Sequence, residues 1–146
     1  MSDSTKKNNT KSFSWTSCGK TDVGKARKLN EDSMLVRTEV GMWVVADGMG
    51  GHEAGDVASQ MVVNTLKEVP EGTSLEKYID AIEDTLIGVN KKLIEIANQG
   101  EKPTTVGSTV VVMLAYEKFC AFIWAGDSRL YRHRNGELVQ LTTDHS

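Results

Sequence analysis

The run Val44-Val45-Ala46-Asp47-Gly48-Met49-Gly50-Gly51-His52-Glu53-Ala54-Gly55 constrains this chain more than any other segment. An apolar strand ends in a carboxylate and enters a loop of three glycines. A histidine follows, and helical periodicity begins at Ala54. An isolated Asp-Gly pair reads as a hairpin turn, but here no second strand follows within a few residues. The alternative is a backbone that approaches something closely, which glycine permits by lacking Cβ. A carboxylate with neighbouring carbonyl oxygens suits Mg²⁺ or Mn²⁺, which favour oxygen ligands. The loop is not a dinucleotide fingerprint: Gly48 to Glu53 fails G-x-G-x-x-G at its last position, and no G-K-[ST] occurs.

The rest of the chain divides by period. Residues 1–11 are polar and rich in Lys, Asn and Thr, which predicts a disordered tail, leaving 12–146 as the folded part. Phe13 to Gly19 reads as a strand, and Ser33–Thr38 with Met42–Ala46 reads as a hairpin. From Ala54 the apolar residues Val57, Ala58, Met61, Val62 and Leu66 recur at helical spacing until Pro70. A second helix is expected to start from the capping box Thr73-Ser74-Leu75-Glu76. It presents Leu75, Tyr78, Ile79, Ile82, Leu86, Val89, Leu93 and Ala97 on one face and ends near Gly100. Ser108–Ala115 and Phe119–Ala125 are near-continuous apolar runs, as for strands covered on both faces. Leu130–His133 and Leu138–Leu141 flank Asn135-Gly136, a type I′ hairpin signal. Hairpin connections dominate and βαβ alternation is absent. The expected fold class is therefore α+β, with helices on a largely antiparallel sheet layer. Nothing after Leu141 closes a domain, so the chain reads as truncated at its C-terminus.

Candidate chemistry collects at strand ends. Glu31 and Asp32 stand just before a strand that should pair with the one ending in Asp47. In a hairpin the start of the first strand lies beside the end of the second, so the three carboxylates should gather at one sheet edge. Crowded anions repel unless a cation neutralises them. Arg27, a few residues upstream, is either a solvated surface arginine or a bidentate grip on a phosphate. His52 is either a solvated helix-start residue or a proton donor near neutral pH. Asp127 repeats the pattern of strand, glycine and aspartate, and reads as a turn, a partner of Arg129, or a further metal-facing carboxylate. Cys18 and Cys120 lie far apart in strand-like runs and are expected to be small buried hydrophobes.

Composition excludes several classes. In 146 residues, 39% hydrophobic and 25% charged, a single domain with a real core is expected. Seventeen Lys+Arg against twenty Asp+Glu give a formal charge of −3, against the basic excess of a nucleic-acid binder. The apolar stretches are strand-sized, which predicts no transmembrane helix, and the first ten residues hold no apolar run for a secretory signal. No nucleic-acid or membrane partner and a cytoplasmic location are the expectations.

Together the pieces resemble the metal-dependent type 2C protein serine/threonine phosphatases in their compact bacterial form. The similarity lies in Arg27-Lys28-Leu29-Asn30-Glu31-Asp32, Val45 to His52, Gly107-Ser108-Thr109, Ala125-Gly126-Asp127-Ser128-Arg129-Leu130-Tyr131 and Leu141 to Ser146. The resemblance implies a β-sandwich flanked by helices on both outer faces, with two Mg²⁺ or Mn²⁺ ions at one end. It implies a water between the ions that attacks the phosphoester of a phosphoprotein directly. Asp47 would bridge both metals, the Gly48 carbonyl would bind one, and Glu31 and Asp32 would hold a metal directly or through water. Arg27 would bind the substrate phosphate, His52 would be the general acid, and Asp127 would match the ligand of a third, weaker metal. The family's later metal-binding aspartates, in Asp-Gly-Leu and Asp-Asn motifs, have no counterpart in these residues, and missing strands leave sheet edges that invite association. Residues 12–146 are thus expected to be the N-terminal portion of a phosphatase acting on phosphoserine and phosphothreonine. The alternative is an impaired module that binds metal or a partner without turnover.

Overall fold

Period-two patterning fills both ends of the chain and helical patterning fills its middle, and the computed structural model follows that division. It describes residues 3–8 (backbone), 13–26, 28–50, 54–102 and 104–146. The strands are β1 (Asp3–Asn8), β2 (Trp15–Lys20), β3 (Asp32–Arg37), β4 (Met42–Gly50), β5 (Val106–Ser108), β6 (Val110–Tyr116), β7 (Phe119–Ala125), β8 (Tyr131–Arg134) and β9 (Glu137–Gln140). Two helices, α1 (Ala54–Leu66) and α2 (Leu75–Ala97), lie between β4 and β5.

The main sheet runs β3-β4-β6-β7, with β5 pairing to the end of β4, and every pairing is antiparallel. Alternation along β4 sorts its two faces. Met42, Val44 and Ala46 are buried with Val110, Val112 and Leu114 of β6 under Ala58, Val62 and Leu66 of α1 and Tyr78, Ile82, Val89 and Leu93 of α2. Both helices therefore cover one face. Arg37 donates to the carbonyls of Leu66 (3.4 Å) and Val69 (2.5 Å), placing a cation where the α1 macrodipole is negative.

On the opposite face, β2 begins a second layer. Trp15 meets Trp43 with ring centroids 5.5 Å apart, Ser17 hydrogen-bonds Thr38, and a Cβ on Gly19 would strike Met34 and Val36. Between β2 and the main sheet remains a cavity of about 540 Å³, lined in part by Met34, Val36, Trp43, Val45, Val111 and Met113. The α+β antiparallel architecture is as expected. The described residues supply helices to one outer face, where the resemblance implied both.

Several local expectations change. Within the stretch read as a tail over residues 1–11, Asp3–Asn8 pairs with β2 from Asp3↔Lys20 to Asn8↔Trp15, because main-chain bonding to a strand edge needs no apolar side chain. The glycines after Asp47 do not loop at once: Gly48, Met49 and Gly50 stay extended because β5 pairs with them. Ser74, not Thr73, caps α2, accepting from the Lys77 amide at 3.1 Å, and the helix ends at Asn98 before Gly100. The buried stripe of α1 includes Ser59, whose Oγ bonds Ser33 Oγ at 2.9 Å, while Val57 is exposed. Cys18 and Cys120 are exposed, since Cys18 alternates with the inward Ser17 and Cys120 lies on the edge strand β7. That edge position leaves β7 less covered than an apolar run on both faces implied. Asn135 (φ 53°) and Gly136 (φ 75°) form the expected turn between β8 and β9.

Candidate active site

The hairpin register places the acidic residues. Asp32 is the cross-strand partner of Asp47, and the Gly48 amide donates to the Glu31 carbonyl at 2.9 Å. Residues 31–32 and 47–48 therefore face each other at one end of the sheet, as the strand-end argument expects. Their side chains then diverge. Ser33 turns to Ser59 on α1, so alternation aims Asp32 to the other face, the face that Asp47 shares as neighbour of the core residue Ala46. The Glu31 carboxylate instead reaches the first turn of α1, where a Cβ on Gly55 would collide with its Oε2. Among the described residues, no three His, Cys, Asp or Glu side chains converge closely enough to hold a metal ion. The backbone thus brings residues 31, 32 and 47 to one sheet end, while their carboxylates point to different sides.

Asp47 sits between two hollows. It borders the cavity between the sheets together with Asp32. It also borders an open groove of about 680 Å³ lined by Lys28, Leu29, Glu31, Gly48, Met49 and Gly50. The groove's acidic lining is oxygen only: the carboxylates of Glu31 and Asp47 beside a glycine-rich backbone. Those oxygens fit a hard divalent cation in kind, and the thioether of Met49, which also lines the groove, is too soft a donor to compete for such an ion.

Thr109 holds this end of the sheet together. Its Oγ1 accepts from the Asp47 amide at 3.0 Å, and its own amide donates to the Asp47 carbonyl at 2.8 Å. The same Oγ1 shares a 2.6 Å hydrogen bond with Ser128 Oγ. Asp127, next to Ser128, is exposed just past β7, after Gly126 in a left-handed conformation (φ 101°) packed on Thr109. Thr109 thus connects Asp47 to the turn bearing Asp127. Sequence reasoning took Gly107-Ser108-Thr109 only as a matching motif. The available signal was the polar pair Ser108-Thr109 standing immediately before the apolar run that begins at Val110.

A second cluster secures the same turn. Arg129 grips Asp144 through Nε (3.0 Å) and Nη2 (2.7 Å) and also reaches Tyr131 Oη at 3.1 Å. The Arg129 guanidinium, followed by a hydrogen bond from Gln140, holds the Asp144 carboxyl below the usual range. His145 stacks on Trp124 and exchanges backbone contact with Gly126, its amide donating to the Gly126 carbonyl at 2.9 Å. Arg129, one of the readings for Asp127's partner, is thus paired with Asp144. Arg27 and His52 lie outside the described residues.

Residues 23–146 match the model of the family described as Protein phosphatase 2C. This chain belongs to the protein phosphatase 2C family. It is 37% identical over 134 residues to the serine/threonine phosphatase stp of Listeria innocua, covering 87% of this chain and 53% of that protein. Among solved structures, PppA of Pseudomonas aeruginosa, described as a key regulatory component of T6SS, superposes with a TM-score of 0.81 at 45% identity, over 86% of this chain and 54% of that one. The catalytic domain of the serine/threonine protein phosphatase PstP, solved with two manganese ions, gives a TM-score of 0.69 at 34% identity, over 86% and 54%. The chain spans about half the length of the relatives it matches.

Proposed function

We propose that this chain is the N-terminal portion, residues 12–146, of a protein phosphatase 2C catalytic domain that hydrolyses phosphoserine and phosphothreonine in phosphoproteins. The observation that carries the reading is the Asp32↔Asp47 pairing beside the Glu31–Gly48 bond, at the sheet end that Thr109 pins. In this reading Asp47, the Gly48 carbonyl, Glu31 and Asp32 hold two Mn²⁺ or Mg²⁺ ions, and Asp127 holds a third, weaker one. Bound there, the ions would supply a nucleophilic water at neutral pH and neutralise charge on the phosphoryl oxygens. Asp47 and Glu31 both line the groove, the extended Gly48–Gly50 backbone allows close approach, and Thr109 fixes the Asp47 main chain. Arg27 binds the substrate phosphate through its planar guanidinium, and His52 delivers a proton to the leaving alkoxide. No described helix is long and apolar enough to cross a membrane, and we place the protein's action in the cytoplasm.

The test is manganese-dependent hydrolysis of p-nitrophenyl phosphate. The expected result is turnover that requires Mn²⁺ and disappears in Asp47→Asn; turnover indifferent to Asp47 overturns the assignment. A second reading, an impaired module that binds metal or a partner without turnover, is favoured by the absence of a three-membered ligand cluster among the described residues. Manganese binding with no hydrolysis, on a chain with a folded circular dichroism spectrum, selects it. The edge of β7, unpaired among the described residues, is a surface through which such a module would associate.

A further inference from the structure

Helix α1 comes into tight contact with the end of the sheet at a residue that has no side chain and no conformational need to lack one. Gly55 is buried in the first turn of α1 and is not among the residues with positive φ. Alanine would raise helix propensity there. Yet a Cβ built on Gly55 would overlap Glu31 Oε2 and stand 2.8 Å from Glu31 Cδ. The reciprocal contact is equally tight, since a Cβ on Gly48 would strike the Gly55 carbonyl and come within 2.9 Å of the Glu31 carbonyl. Gly88, in the middle of α2, is the counterexample: a Cβ there meets nothing within 4 Å.

We propose that Gly55 is a positioning residue for Glu31: its missing Cβ is the slot that seats the Glu31 carboxylate between the start of α1 and the Asp47 groove. This rests on the phosphatase reading for its purpose, though not for its geometry. The seat places an anion at the first turn of α1, the positive end of the helix macrodipole. Glu31 also lines the groove that Gly48 and Asp47 border. Because the obstructing atoms are mainly the far end of a flexible side chain, filling the slot displaces the carboxylate and leaves the helix in place. A glycine kept for packing or turn geometry behaves differently: filling it lowers stability and spares the ligand.

The experiment uses the 146-residue chain with Gly55→Ala, Glu31→Asp, the double variant, and Gly88→Ala as a control for helix propensity. Two readouts are taken: the ¹³C shift of the residue-31 carboxyl carbon without metal, and Mn²⁺ affinity by titration. Expected for Gly55→Ala are unchanged far-UV circular dichroism, a melting temperature no lower than wild type, a moved Glu31 carboxyl signal, and Mn²⁺ affinity lowered about tenfold or more. In the Glu31→Asp background the shorter side chain already clears the slot, so Gly55→Ala should then change affinity by less than about twofold. An unmoved Glu31 signal, an equal loss in both backgrounds, or unfolding of Gly55→Ala but not Gly88→Ala overturns the proposal. If the wild-type chain binds no Mn²⁺, the phosphatase reading loses its metal, and the carboxyl signal alone decides whether Gly55 seats Glu31.

Discussion

The two faces of the main sheet are built from the same strands yet closed by different means. Toward the helices, Met42, Val44, Val112 and Leu114 are sealed by α1 and α2, and the polar atoms among them are paired: Tyr78 Oη donates to the Val40 carbonyl at 2.7 Å, and Ser59 Oγ donates to the Asp56 carbonyl while sharing a hydrogen bond with Ser33 Oγ. Toward β2, Val45 is 52% exposed and a cavity remains. The buried Trp43 Nε1 has no hydrogen-bond partner among the described residues there. Alternation assigns residues to faces, but only a covering layer turns a face into a core. Here the helical layer follows β4 closely in sequence and buries the centre of its face, leaving a smaller cavity of about 340 Å³ toward β7, whereas the described residues supply the opposite layer only through the short strands β1 and β2.

The largest expected difference tests that contrast directly. Leu114→Ala removes a fully buried side chain and should cost about 2–5 kcal/mol, whereas Val45→Ala on the open face should stay within about 0.5 kcal/mol. Urea denaturation of both variants measures it. Comparable losses would mean that the β2 side is packed as tightly as the helical one, and the contrast fails.

Next in size is the buried hydroxyl of the helical face. Tyr78→Phe leaves the Val40 carbonyl without its donor and should cost about 1–3 kcal/mol. Burial, outweighing the attraction of Arg37, raises the Tyr78 hydroxyl above its ordinary value of 10.0. A group whose folded pKa is raised contributes stability below its unfolded pKa and loses it as pH rises from there toward the folded value. Stability should therefore fall as pH climbs above 10, more steeply in wild type than in Tyr78→Phe. Equal slopes would place that hydroxyl in water.

At the site, Thr109→Val keeps shape while removing the hydroxyl that bridges the Asp47 amide and Ser128. A loss of about 1–3 kcal/mol is expected, with faster amide exchange at Asp47 and at the Gly126–Arg129 turn. Protection lost at one of these places but not the other would separate two ends that the structure joins.

How much of this was legible from residues alone follows the same division. Helix positions, the β3–β4 pairing and the β6–β7 strands were readable because apolar periodicity reports burial, and burial here is set by neighbours close in sequence. The facing of Asp32 and Asp47 followed from hairpin geometry. What escaped was set by distant partners. Gly48–Gly50 looked like a free loop because β5, more than fifty residues on, supplies its bonds. Cys18 and Cys120 looked buried because composition cannot say whether a face has a cover. The split between Glu31 and Asp32 is a matter of one residue's phase just outside a strand, and the Thr109 bridge joins three separate segments.

The smallest effect is expected where nothing is buried, at the clasp between Arg129 and Asp144. Both side chains are substantially exposed, and exposed ion pairs stabilise little, so Arg129→Ala should barely move the melting temperature. Its signature is electrostatic. Because Arg129 lowers the Asp144 carboxyl, the folded state keeps this contact at neutral pH and loses it only as pH falls below the ordinary carboxylate range. Followed through the ¹³C shift of the Asp144 carboxyl, the titration midpoint should move upward in Arg129→Ala, back toward the ordinary carboxylate range. Trp124, whose indole donates to the Thr143 carbonyl at 2.9 Å, should then report loosening of residues 142–146 through faster exchange of its N–H. An unchanged midpoint would show that the guanidinium does not hold Asp144 in solution, leaving Trp124 and His145 to secure the turn beside Asp127.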